Sequence, residues 1–448
     1  MPYILNTEKD VKEMLGCLGI SSVEDLFSHI PSSLKLKEPL GIGPGLSELG
    51  LKRELKVLAE KNKTIDKFNS FLGAGCYDHY IPAGLKYLLS NSKFVTAYTP
   101  YQAECSQGIL QAIYEYQSYI CLLTGMEVSN ASLLDGASAF AEAVLMSMRI
   151  SKKSRVLVSA SINPQYRKTL ETYLSGLDCS VELIPFDKDG LIDLAFLSRS
   201  VDDGACCFAL QSPNYFGLVE DAAESTRIIK KSSALSVMIT NPLSLAIFKE
   251  PGLLGMDIVC GDGQPLGGGL RFGGPSFGFL ASREAYLRQL PGRIVGRTVD
   301  KDNNPAFCLT LATREQHIKR EKATSNICSN QSLNVIAATI YLAFMGEAGL
   351  KDAAGYSFSN AQYLYKRIKE VRGVNMPYGQ GFFNEFIWEV KDPEAVLNKL
   401  YQKNIIAGHY IGNEFEEHKN CILSCCTEKK TKKDIDDLVN TLAEVLHG

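Results

Sequence analysis

Gly261-Asp-Gly-Gln-Pro-Leu-Gly-Gly-Gly-Leu-Arg-Phe-Gly-Gly-Pro-Ser-Phe-Gly278 follows a short apolar run, Met256-Asp-Ile-Val-Cys260, and the two together read as a buried strand running out into a glycine-rich loop. In open α/β proteins the loops at strand ends carry the chemistry. Glycine at this density lets the backbone adopt positive φ and approach a bound group closely. Yet the loop holds no lysine, cysteine or histidine, and its reactive-looking members are Asp262, Gln264 and Arg271. It is laid out like an active-site loop that lacks a nucleophile. A dinucleotide fingerprint would have to open a helix, whereas the next regular element here is a strand, Gly278 to Ala281.

Ahead of the loop, further apolar runs fall at Arg155-Val-Leu-Val158, Val181-Glu-Leu-Ile184, Cys207-Phe-Ala-Leu210 and Val237-Met-Ile-Thr240, with helical stretches between most of them. Such alternation predicts an α/β domain built on a mostly parallel sheet. Upstream lie a helix through Ile109, Ile113, Tyr116 and Ile120 and, after the Gly136-Ala-Ser138 turn, a second one rich in Ala, Met and Leu. Residues 7 to 65 read as helical, with a capped start at Thr7 and an apolar stripe in Gly45 to Leu55. Past about 330, a long helix from Asn334 leads into Ala361-Gln-Tyr-Leu, then strands near Phe386 to Val390 and Cys421 to Cys425 and an amphipathic helix from Lys432 to Leu446. The expected division is a helical arm over 1–70, a large α/β domain over 71–330 and a small α+β domain over 331–448.

Forty-seven basic and fifty acidic residues, with 45% hydrophobic and 22% charged, describe an ordinary globular composition with no basic excess to recommend nucleic acid or an anionic membrane. The longest apolar run, Val335 to Met345, is well short of the ~20 residues of a membrane span, and the first ten residues carry no signal-peptide pattern. A cytoplasmic location is expected. Thirteen scattered cysteines, with no CxxC pair, suggest neither a disulfide framework nor a metal site; they read as small buried hydrophobes in a reducing compartment.

Read together with Thr96-Ala-Tyr-Thr-Pro-Tyr-Gln-Ala-Glu-Cys-Ser-Gln-Gly108, Gly73-Ala-Gly-Cys-Tyr-Asp-His-Tyr-Ile-Pro82, Asn130-Ala-Ser-Leu-Leu-Asp135, Arg288-Gln-Leu-Pro-Gly-Arg-Ile-Val-Gly296 and Thr313-Arg-Glu-Gln-His through Cys328, the glycine-rich loop resembles the P-protein family of the glycine cleavage system, in particular its alpha subunit, the N-terminal half. Several long strings in the right order are far more specific than one short motif, and they reach to about the last fifth of the chain. The resemblance implies a fold-type-I, aminotransferase-like large domain. It also implies a beta subunit whose lysine forms a Schiff base with pyridoxal phosphate, and it places Gln264 at the lysine position. An amide nitrogen has no nucleophilic lone pair, so no covalent cofactor and no catalytic residue is expected on this chain. The position facing the pyridine nitrogen falls on Thr240 or Asn241, neither of which supplies negative charge.

Gly136, Ala137 and Ser138 form a possible anion cradle at a helix N-terminus, although plain capping by Asp135 explains the same residues. Tyr98, Thr99, Tyr101, Gln102 and Glu104 crowd a loop that Pro100 keeps from being helical; they are pocket-wall candidates expected to reach into the partner's cofactor site. His79 and His317 are further pocket-wall candidates, each with the alternative of a structural histidine. Lys322, the rival imine lysine, lies in the charge run Lys319 to Lys322 that suits a solvated face.

What the resemblance implies for function is a complex, an alpha2beta2 heterotetramer, that decarboxylates glycine on pyridoxal phosphate and passes the aminomethyl group to the lipoyl arm of the H-protein. The cofactor and the beta subunit carry that chemistry. Three other readings stay open at this point: a stand-alone pyridoxal phosphate enzyme with another lysine, a nicotinamide dehydrogenase, and a non-catalytic scaffold.

Overall fold

The computed structural model describes residues 5–38, 40–95, 97–327 and 330–447. Thr96 and Cys328, at the ends of two strings quoted above, lie outside them. Two compact units divide the chain, one up to Lys63 and one from Thr64 onward.

The first unit is less helical than its composition suggests. Helices form over Glu8–Leu18 and Glu48–Ala59, with short 3-10 turns at Val23–Phe27 and Ser32–Leu34 between them. Thr7 opens the first helix with a capping box closed by Asp10. The break follows from Pro31, Gly41, Gly43, Pro44 and Gly45, which remove donors and favour non-helical backbone. Neither helix contains a buried residue.

The second unit is built on a seven-stranded sheet of β1 (Val128–Ser129), β2 (Arg155–Ser159), β3 (Ser180–Ile184), β4 (Ala205–Gln211), β5 (Leu235–Ile239), β6 (Ile258–Asp262) and β7 (Gly278–Ser282). Their spatial order is β1-β7-β6-β5-β4-β2-β3. The strands from β3 through β6 pair in parallel, and β7 runs antiparallel to both β6 and β1. The apolar runs are continuous because helices cover both faces. Within the runs alternate residues feed different cores. Val156, Val158, Cys207, Ala209, Val237, Ile239, Ile258 and Cys260 pack with Phe140, Val144 and Met146 of the helix Gly136–Ser151. Leu157, Phe208, Leu210, Met238 and Val259 pack with Ile109, Ile113, Tyr116 and Ile120 of Gln107–Thr124 and with Val335, Ile336 and Tyr341 of the long C-terminal helix.

That long helix spans Ser332–Lys369 and bends at Gly346, whose φ of 57° is left-handed. Beyond it, a four-stranded antiparallel sheet, in the spatial order Val374–Asn375, Glu385–Val390, Cys421–Cys425, His409–Tyr410, carries the helices Pro393–Gln402 and Lys432–His447 around a core centred on Trp388. Ile294–Val299 and Pro305–Thr310 pair as an antiparallel hairpin that the sequence pattern does not predict. The first strand turns polar after Val295, at Gly296-Arg-Thr298, and the short apolar run Ala306-Phe-Cys-Leu309 opposite it is only half-buried, so nothing local marks the two as partners.

Candidate functional site

The parallel strands point their C-terminal ends at one cleft. Asn163 follows β2, Gln211 ends β4, Thr240 and Asn241 follow β5, and Asp262 ends β6; Gly75, Tyr77, Tyr166 and Glu385 are also among the lining residues. This is where an α/β sheet of this kind ordinarily binds its ligand. Here the chain fills it. The cavity left is about 40 Å³, room for a few waters at roughly 10–15 Å³ each.

Gln264 is buried, and its amide is used on both sides. Its Nε2 donates to the Tyr77 carbonyl at 2.8 Å and to the Gly268 carbonyl at 2.7 Å, while its Oε1 accepts from the Tyr77 N–H at 2.9 Å. Gln264 thus ties the glycine-rich loop to the Gly73 to Pro82 string by pairing both main-chain groups of one residue.

Asp262 accepts from the Gly136 N–H at 3.0 Å, the Gln264 N–H at 2.8 Å and the Ser276 hydroxyl. Burial pushes its carboxyl above the usual range. Asp135 accepts from the Ser138 N–H at 2.8 Å. The amides of Gly136 and Ser138, offered by sequence as a cradle for an external anion, are therefore taken by carboxylates of the chain itself. Position 136 must be glycine: a Cβ there would overlap the Tyr166 hydroxyl and, at 2.7 Å, the Asp262 nitrogen. On the other wall Glu385 accepts from the Tyr77 hydroxyl at 2.7 Å and the Ala74 N–H at 2.9 Å, and burial pushes its pKa up to about 7.

Pyridoxal phosphate does not fit this cleft. No lysine lines it, and the strand end expected to meet a pyridine nitrogen offers the neutral Thr240 and Asn241. The helix N-terminus that would hold a phosphate already donates its Gly136 amide to Asp262, so that amide is not free for one.

A second, open cleft of about 220 Å³ lies elsewhere on the same unit, lined by Tyr101, Gly292, Arg293, Arg314, Glu315, Gln316, His317, Thr324, Ser325 and Ile327. Three of the strings quoted above meet there. Arg293 is 6% exposed; its Nη2 donates to the Tyr101 hydroxyl at 3.0 Å and its guanidinium sits 5.4 Å from the centre of the Tyr101 ring. Glu315 lies 3.4 Å from Arg293 Nε and 3.6 Å from His317 Nδ1, and the Tyr101 and His317 rings meet edge-on at 5.7 Å. Arg314 supports the wall by donating to the carbonyls of Leu290, Gly292 and Leu311. Ser325 donates to Glu142 at 2.8 Å, which fastens the loop to the helix Gly136–Ser151.

The structure thus brings Tyr101 and His317 together but not His79. That histidine is buried with its Nδ1 2.8 Å from Glu428, and it lines neither cleft. Tyr98, Gln102 and Glu104 are exposed on the loop that carries Tyr101, and Thr99 is half-buried. Lys322 is exposed and lines neither cleft. Arg293, Arg314 and Glu315 were missed as site residues although two of the quoted strings contain them; the signal available was that unusual strings cluster.

A sheet of this strand order with helices on both faces defines the fold-type-I class of pyridoxal-phosphate-dependent enzymes. Solved structures of low identity share the fold, among them a NifS-like protein with a TM-score of 0.62, 13% identity, and coverage of 84% of this chain and 98% of that one. The family model described as "Glycine cleavage system P-protein" matches residues 1–442, and the chain belongs to that family. It is 48% identical over 442 residues to the "Probable glycine dehydrogenase (decarboxylating) subunit 1" of Carboxydothermus hydrogenoformans, and 45% identical over 445 residues to the protein of the same description from Bacillus mycoides, with 99% of each chain covered in both comparisons. It also matches the crystal structure of a glycine decarboxylase (P-protein) of the glycine cleavage system in inhibitor-bound form, with a TM-score of 0.92, 39% identity, and coverage of 99% of this chain and 100% of that one.

Proposed function

We propose that this chain is the alpha subunit of a glycine dehydrogenase (decarboxylating), working with a beta subunit that holds the pyridoxal phosphate. The observation that carries the reading is Gln264, whose amide is spent on both main-chain groups of Tyr77 inside a cleft the chain has filled with its own side chains. A protein of this family that cannot house the cofactor contributes through a partner that can. The cofactor supplies an electron sink for the loss of carbon dioxide from glycine.

What this chain supplies is the open cleft. Tyr101, fixed by Arg293, and the exposed Tyr98, Gln102 and Glu104 wall the partner's pocket, orient the substrate and exclude water from it. His317 stands beside Tyr101 in the same wall. The aminomethyl group then passes to the lipoyl arm of the H-protein, in an alpha2beta2 assembly located in the cytoplasm. Exposed Leu49, Leu51, Leu55 and Leu58 on the helix Glu48–Ala59 support a chain built for a partner. Free cysteines throughout the described residues suit a reducing compartment.

Co-expression with the beta subunit followed by glycine–bicarbonate exchange tests the reading. Activity is expected from the co-purified pair and not from this chain alone. Exchange by this chain alone, or none by the pair, would refute it.

A further inference from the structure

Tyr101 is 55% exposed, sits on a loop, and takes no part in any hydrophobic core. The hydrogen bond and the ring contacts that its side chain makes among the described residues are with Arg293 and His317. Arg293 is the opposite. Its side chain is buried, its main-chain carbonyl accepts from the Ala131 N–H at 2.7 Å, and it leads directly into the strand that begins at Ile294. A rooted cation therefore holds an otherwise loose aromatic ring.

We propose that Arg293 is a positioning residue for the reaction, fixing the hydroxyl and the ring plane of Tyr101 together, with Glu315 holding Arg293 in turn. The inference rests on the reading that this cleft walls the catalytic pocket. Guanidinium suits the task because one planar group can donate a hydrogen bond to a hydroxyl and face a ring at the same time. A lysine keeps the charge but presents a single point, so it can satisfy one of the two contacts. Glu315 completes the arrangement: at 3.4 Å from Arg293 Nε and 3.6 Å from His317 Nδ1 it neutralises the buried cation and reaches the ring that Tyr101 meets edge-on. Arg314 cannot substitute, because its guanidinium is spent on main-chain carbonyls.

A double-mutant cycle in the assembled complex tests this. Removing Arg293 outright would leave Glu315 without its buried cation, so R293K is the variant of choice, paired with Y101F and with the double variant. Each single change is expected to lower kcat roughly tenfold with the KM for glycine changed less than about twofold, and the double variant is expected to match the single ones. In the uncomplexed full chain, R293K is expected to speed amide exchange about tenfold over residues 97–106 while leaving the strand Ile294–Val299 unchanged. Losses that multiply in the double variant, an R293K enzyme with wild-type kcat, or unchanged exchange over 97–106 would each overturn the inference. Full activity in Y101A would overturn the underlying reading instead, because the cleft would then lie away from the chemistry.

Discussion

The carboxylates buried beside the filled cleft carry a cost that pH should expose. Glu385 has two hydrogen-bond donors and no cation, and its folded pKa is pushed up to about 7 by burial. In the unfolded chain a glutamate releases its proton near ~4.3. Below that pH both states hold the proton and the group contributes nothing. As pH rises toward 7 the unfolded state ionises first, so stability falls across this window and stays lower above it. Glu385→Gln keeps an acceptor for the Ala74 N–H and removes the charge. It is expected to stabilise the protein at pH 8 by up to on the order of 3 kcal/mol, with the gain vanishing near pH 4. Urea denaturation at several pH values checks this, and a gain independent of pH would reject the assigned cause. Glu220 belongs to the same class, raised to about 7 by burial although Ile192 N–H, Asn214 and Ser161 donate to it.

At the scale of elements, the helix Gly136–Ser151 joins the two clefts: its first turn donates to Asp262, and Glu142 on its body accepts from Ser325. Gly136→Ala is expected to destabilise by about 1–3 kcal/mol, because the added methyl meets the Asp262 backbone and cannot be relieved by a rotamer change. A lowered urea midpoint with an unchanged slope is the expected reading. The sheet was legible in the sequence because β2, β4, β5 and β6 are buried on both faces and so read as short apolar runs. The hairpin from Ile294 to Thr310 was not, since pairing of half-exposed strands is set by partners rather than by composition. The same limit applies to the open cleft. Tyr101 and Arg293 are 192 residues apart in the chain, and no local pattern marks them as neighbours. The arm was over-read as helical because its leucine spacing is real while the glycines and prolines between its helices outweigh it.

For the whole molecule, an arm whose helices bury nothing should be dispensable for folding and not for assembly. Deleting residues 1–63 is expected to leave the melting temperature of the remaining chain within about 2 °C, since no core is touched, while co-purification with the beta subunit falls. A truncated chain that assembles fully would show that the arm's apolar stripe serves something else. The pairing of Gln264 with Tyr77 has a consequence of another kind, for the direction in which this protein can change. Gln264→Lys places an amine here in a single step, yet it leaves the Tyr77 N–H without its acceptor, sets the amine beside the Tyr77 carbonyl and delivers it into a space that admits a few waters. Borohydride reduction with excess pyridoxal phosphate is expected to give no mass increment on that variant. A working cofactor site here would take an emptied cleft, a vacated helix terminus and a new brace for residues 73–82 all at once. Like the teeth of a ratchet, the three conditions hold together, and no single substitution meets them all.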